Sequence, residues 1–137
     1  MSKDADTAAL ADFADAVITL ARHLELRGAA AREVAELTGT EITVIREIHR
    51  TPGATATGVA DSTGLQRSNT STVIHRLEDA GLVRRGPSAP PGRGVGFTVT
   101  ESAERNLQRM REYWASRLRE TPPSLWRDFV QATKSLT

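Results

Sequence analysis

The chain divides into stretches of regular hydrophobic spacing punctuated by glycine and proline. Over residues 7–27, apolar side chains fall at Leu10, Phe13, Ala14, Val17, Ile18, Ala21 and Leu24, while Asp12, Asp15 and Glu25 lie on the opposite side. Steps of three and four predict an amphipathic helix, with Gly28 marking its end. Ala29–Leu37 offers a second helical stretch. Thr38 with Glu41 three residues later has the form of a capping box, and Ile42, Val44, Ile45 and Ile48 continue as a helix to about Arg50, where Pro52-Gly53 stops it.

Two shorter segments flank Gly64. Thr55–Thr63 buries Val59 and Ala60, and Arg67–Ala80 places Thr70, Val73, Ile74 and Leu77 on one stripe, with Gly81 just beyond. Leu82-Val83-Arg84-Arg85 predicts a short strand. Residues 86–94 hold three prolines and three glycines and predict a loop, and Val95–Val99 predicts the returning strand. A hairpin directly after two short helices is a wing. Thr100 is placed to cap a long helix running to about Glu120, with Leu107, Met110, Trp114 and Leu118 along one stripe. Pro122-Pro123 breaks it, and Pro123 suits the first turn of a last helix bearing Leu125, Trp126, Phe129, Val130 and Leu136. The expected fold is mainly α with a small β-hairpin: a winged helix-turn-helix lobe over 38–100, flanked by helical segments at 1–37 and 101–137, in one domain.

Composition narrows the chemistry. The 137 residues suit a single domain, and with only 4% aromatics the core must come from Leu, Val, Ile and Ala. There is no cysteine, which removes disulfides, thiolate zinc sites and cysteine catalysis, and fits a cytoplasmic protein. Met1–Asp6 is polar and does not read as a signal peptide. The longest apolar stretch, Ala16–Ala21, is interrupted by Thr19 and far too short to span a membrane. Net charge is only +1, but its distribution is uneven. Residues 1–64 carry six basic and ten acidic side chains, whereas residues 65–94 carry five arginines and two acids. A locally basic centre is the electrostatic footprint of a nucleic-acid binder.

The segment from Leu37 to Ala103 resembles the MarR family of transcription regulators. The resemblance rests on an ordered series: Leu37-Thr38, then Val59-Ala60 with Gly64, then Arg67-Ser68-Asn69-Thr70-Ser71-Thr72. Leu77-Glu78 follows, ahead of Gly81-Leu82-Val83-Arg84-Arg85, and Val99-Thr100-Glu101 closes the wing. It implies a homodimeric, sequence-specific DNA-binding protein without cofactor or enzymatic activity. It also implies a repressor acting on an inverted-repeat operator and released by a small aromatic or lipophilic ligand. At the wing tip the family pattern is Asp, any residue, Arg. Here Pro91-Gly92-Arg93 keeps the arginine, expected to enter the minor groove, and lacks the acid that orients it.

Helical geometry assigns roles along the recognition segment. With the apolar stripe inward, Arg67, Ser68, Ser71, Thr72 and His75 face outward and Asn69 lies at one flank. These are side chains able to reach base edges or phosphates in a major groove. Arg76, Arg84 and Arg85 are placed for phosphates. Ser71, His75 and Asp79 share one helix face and are the residue types of a hydrolase triad. A solvated helix offers neither an oxyanion hole nor a sheltered pocket, so no catalysis is assigned. His23, His49 and His75 lack metal-ligand spacing, and Gly92–Gly96 precedes a strand rather than the helix that a phosphate loop needs. Phe13, Val17, Ile18, Met110, Trp114, Trp126, Phe129 and Val130 exceed what a small winged lobe must cover and are assigned to a dimer interface. His23, Arg46, His49 and Trp114 are candidate ligand contacts. The competing class is a winged-helix adaptor that binds protein rather than DNA.

Overall fold

The computed structural model describes residues 2–25 and 37–136. Gly28 and most of the Ala29–Leu37 stretch lie outside these. The elements run α1 (Lys3–His23), α2 (Gly39–Arg50), β1 (Ala54–Thr55), α3 (Ala56–Thr63), α4 (Arg67–Asp79), β2 (Val83–Pro87), β3 (Val95–Val99), α5 (Glu101–Leu118) and α6 (Pro123–Leu136). The chain forms two compact units, one of residues 28–111 and one combining 1–27 with 112–137.

Local signals decide the boundaries in the 28–111 unit. The capping box closes as its sequence requires: Thr38 N donates to Glu41 Oε2 at 2.8 Å, and Glu41 N donates to Thr38 Oγ1 at 3.2 Å. At the end of α4, Gly81 N donates to Glu78 O and Leu82 N to Leu77 O, both at 2.9 Å, with Gly81 at φ +71°. This Schellman arrangement needs the left-handed residue that glycine supplies. It turns the chain from α4 into the hairpin without leaving the carbonyls of α4 bare. Thr100 Oγ1 donates to Gly81 O at 2.7 Å and accepts from Ala103 N, tying the start of α5 to the same turn.

The sheet has three antiparallel strands in the order β1-β3-β2. The hairpin was expected. The third strand was not, because Ala54–Thr55 is too short to show alternation. It pairs Ala54 with Phe97 and Thr55 with Gly96. Gly96 is required by this close approach, since a Cβ there would lie 2.7 Å from Gly53 O and closer still to Pro87 O. The core sits between α2, α3, α4 and the sheet and consists of Val44, Ile45, Ile48, Val59, Ala60, Val73, Ile74, Leu77, Leu82, Val83 and Phe97, joined by Ala103, Leu107 and Met110 of α5. The compact lobe therefore extends past residue 100 to take in the first half of α5.

The other unit is built differently. Neither α1 nor α6 has a buried residue. Helix α1 starts at Lys3, capped by Ser2, and ends at His23, short of Gly28. Just past its end, Trp114 Nε1 of α5 donates to Leu24 O at 2.9 Å and Tyr113 Oη to Glu25 O at 3.2 Å, so side chains satisfy carbonyls at the helix terminus. Phe13 and Phe129 meet as a tilted ring pair, centroids 6.1 Å apart. Among the described residues, no helix is long and apolar enough to cross a membrane.

Candidate nucleic-acid interface

Helix α4 is anchored by what it buries. Thr70, Val73, Ile74 and Leu77 are each at most 3% exposed, which orients the remaining positions outward. Thr70 is a polar residue on the inner stripe, satisfied by donating to Gln66 O at 3.0 Å. Arg67, Ser68, Asn69, Ser71, Thr72, His75 and Arg76 are all exposed on a helix of 13 residues, about 20 Å long. The side chains of Ser68, Asn69 and Ser71 have no hydrogen-bond partner among the described residues, whereas Thr72 donates to Ser68 O at 3.0 Å and retains acceptor capacity.

The arginines flanking α4 are held in distinct ways. Arg67 Nη2 lies 3.9 Å from Asp61 of α3 and Arg76 Nη1 3.9 Å from Glu41 of α2. Both are ion pairs too long to count as hydrogen bonds. On β2, Arg84 is exposed and has no acidic partner among the described residues. Its neighbour Arg85 donates from Nε to Glu78 Oε2 at 2.8 Å and from Nη2 to Glu78 Oε1 at 3.2 Å, and lies 5.9 Å over the Phe97 ring. The hydrogen bonds from Arg85 hold the Glu78 carboxyl below its ordinary pKa, and in return the Arg85 guanidinium is raised above its own. Spacing did not flag Glu78 as part of this surface. Its partner is seven residues away across a turn, a separation that only the folded geometry brings together.

Arg93 is exposed in the wing loop. It lines an open cavity of about 290 Å³ together with Glu47, Thr55, Ser62 and Ser88. Glu47, 5% exposed, accepts from Arg50 Nε at 3.1 Å and also from Arg50 Nη2, and Thr51 Oγ1 donates to it at 3.4 Å. A carboxylate so paired is a structural acid.

The four candidate ligand contacts do not share one unit. His23 and Trp114 belong to the 1–27/112–137 unit, where Arg117 Nη2 lies 2.8 Å from His23 Nε2 and the Trp114 indole is committed to Leu24. Arg46 and His49 belong to the 28–111 unit, both exposed on α2. Desolvation, then the charges of Arg50 and Arg111, lower the pKa of Arg46. Of the residues assigned to a dimer interface, Phe13, Val17, Ile18, Trp126, Phe129 and Val130 are exposed by 36–57%. Met110 corrects that assignment: at 2% exposure it is already buried within the 28–111 unit and leaves no surface for a second copy. Among the described residues there is no cluster of His, Asp or Glu able to hold a metal ion, and the side chains of Ser71 and Asp79 make no hydrogen bond with His75.

Comparison with known proteins places this geometry. Residues 35–94 match the profile of the MarR family. Among solved structures, the Mycobacterium tuberculosis MarR family protein RV2887, in complex with salicylic acid, is 27% identical, with 80% of this chain and 83% of that one covered and a TM-score of 0.53. A MarR family protein from Bacillus stearothermophilus is 18% identical at a TM-score of 0.66, covering 95% of this chain and 94% of its own. FabT of Streptococcus pneumoniae, in complex with DNA, is 15% identical at a TM-score of 0.67, again covering 95% and 94%. None of the curated proteins matches the sequence. The match over 35–94, the helix order and the three-stranded wing agree on a winged helix-turn-helix lobe similar to those of the MarR family.

Proposed function

We propose that the chain is a sequence-specific DNA-binding transcription regulator that acts as a homodimer on an inverted-repeat operator. The observation that carries this reading is the outer face of α4: a fixed helix presenting Arg67, Ser68, Asn69, Ser71 and Thr72 to solvent, the side chains of Ser68, Asn69 and Ser71 without hydrogen-bond partners among the described residues. Such a helix fits the major groove, where Arg reads guanine and Asn reads adenine. Arg76 and Arg84 meet the flanking phosphates, and Arg93 reaches the minor groove from the wing without the acid that orients it in relatives. His75 lies at the outer edge of the same face.

The homodimer follows from the uncovered apolar side chains of α1 and α6, Leu10, Phe13, Ile18, Trp126, Phe129 and Val130 among them. An exposed apolar face of this kind marks an interaction surface, and a two-fold pair sets two recognition helices about 34 Å apart, one turn of DNA. Because RV2887 was solved with salicylic acid and FabT with DNA, a repressor released by a small aromatic acid is the form of regulation we assign. A ligand acts here only by preferring one of two conformations.

The test is binding of the purified protein to the intergenic DNA upstream of its own gene against scrambled duplex, with Arg67→Ala and Arg93→Ala in parallel. The upstream DNA binds at least about 10³-fold tighter, and Arg67→Ala removes most of that preference. Equal binding of both duplexes, unchanged by Arg67→Ala, favours the adaptor class instead. Salicylate titrated into the complex tests release.

A further inference from the structure

The turn between recognition helix and wing carries a carboxylate shared by His75 and Arg85, two side chains that the sequence places on the DNA face. Glu78 stands in the last turn of α4 with its side chain 19% exposed. Its two oxygens accept from Arg85 Nε and Nη2, and His75 Nδ1 lies 3.6 Å from Oε1. A planar guanidinium forked on a carboxylate is also how arginine engages a phosphate. Arg67 and Arg76 are held only at 3.9 Å by their acids, and Arg84 and Arg93 have no acidic partner among the described residues. Arg85 is thus the one arginine of this surface whose phosphate-binding donors are already filled, by an anion of the same chain.

We propose that Glu78 is a positioning residue that sets specificity: it withholds Arg85 from the phosphate backbone. The inference rests on the regulator reading above. Binding to random sequence is almost wholly phosphate contact, so each arginine withheld weakens it directly. Binding to the operator is fixed by the side chains of α4 and leaves the Glu78–Arg85 pair closed, where it holds strand β2 to the recognition helix. Glu78 therefore lowers the affinity for wrong DNA more than the affinity for right DNA.

The experiment compares wild type, Glu78→Gln, Arg85→Ala and the double variant. The probes are a scrambled duplex and the duplex enriched from a random-sequence pool by the wild-type protein, each over a range of salt. Glu78→Gln binds the scrambled duplex about three- to fivefold tighter, in line with release of one exposed pair. Its salt dependence steepens by about one phosphate contact. Affinity for the enriched duplex does not rise, so the ratio between the two falls. In the Arg85→Ala background, Glu78→Gln changes neither affinity nor salt slope. An equal gain with and without Arg85 means that only a negative charge was removed, and overturns the proposal. So does an unchanged or weaker grip on scrambled DNA in a Glu78→Gln protein whose circular dichroism matches wild type. If selection enriches no duplex, the regulator reading falls by itself, while the scrambled-duplex comparison still decides the role of Glu78.

Discussion

Trp126 offers a quantitative test of the proposed dimer. It lies on α6 and is 46% exposed even though the Arg127 guanidinium sits 5.2 Å over its ring. A tryptophan presents about 250 Å² to a partner, so about 115 Å² is left for one. At about 25 cal/mol per Å² this is a ceiling near 3 kcal/mol for each copy. Interfaces return less than the ceiling because association also costs side-chain and rigid-body freedom. Taking half, two substituted copies per dimer lose about 3 kcal/mol together, which is about a hundredfold in Kd. Trp126→Ala is expected to raise the dimer dissociation constant by that factor in sedimentation equilibrium, with unchanged helical content by circular dichroism. Val95→Ala serves as control: Val95 is also exposed, at 40%, but stands on the wing. A Trp126→Ala shift below about threefold, or a wild type monomeric at every concentration, refutes the use of α1 and α6 as a dimer face.

Three further outcomes follow from the lobe. Leu77→Ala empties a site only 1% exposed, and is expected to cost about 3 kcal/mol and lower Tm by about 10 °C in thermal melting. Gly96→Ala forces a Cβ against Gly53 O and Pro87 O, and is expected to cost about 2 kcal/mol and weaken DNA binding by displacing the wing, read by chemical denaturation and duplex titration. The Glu78 carboxyl is held below its ordinary value by Arg85, so its stabilisation is present above the unfolded pKa of about 4.5 and is lost as pH falls through the lower folded value. Melting of wild type and Glu78→Gln therefore differs at pH 7, and the difference shrinks as the pH drops below about 4.5.

Much of the lobe was legible because its signals are local. Thr38 and Glu41 cap α2 from three residues apart, Gly81 reverses the chain within one turn, and the Thr70-Val73-Ile74-Leu77 stripe repeats on a single helix. Where partners are distant, spacing was silent. Strand β1 exists through pairing with residues more than forty positions later, and the carbonyls just past α1 accept from Tyr113 and Trp114, about ninety positions on. Met110 and Trp114 look equivalent along α5, yet Met110 is buried in the lobe and Trp114 is half-buried in the other unit. Periodicity identifies a face but does not say which neighbour covers it. Within the interface, the outward residues of α4 were readable from its apolar stripe, whereas the Glu78–Arg85 pair depends on how strand β2 returns beside the helix.

DNA reading by α4 is tested most directly by selection of bound fragments from a random-sequence duplex pool, followed by sequencing. The expected result is a pseudo-palindromic motif whose half-sites are centred about 10 base pairs apart, with Asn69→Ala losing preference at one position of each half-site. Enrichment of no motif, or of a motif that Asn69→Ala and Arg67→Ala leave unchanged, contradicts the claim that α4 reads DNA.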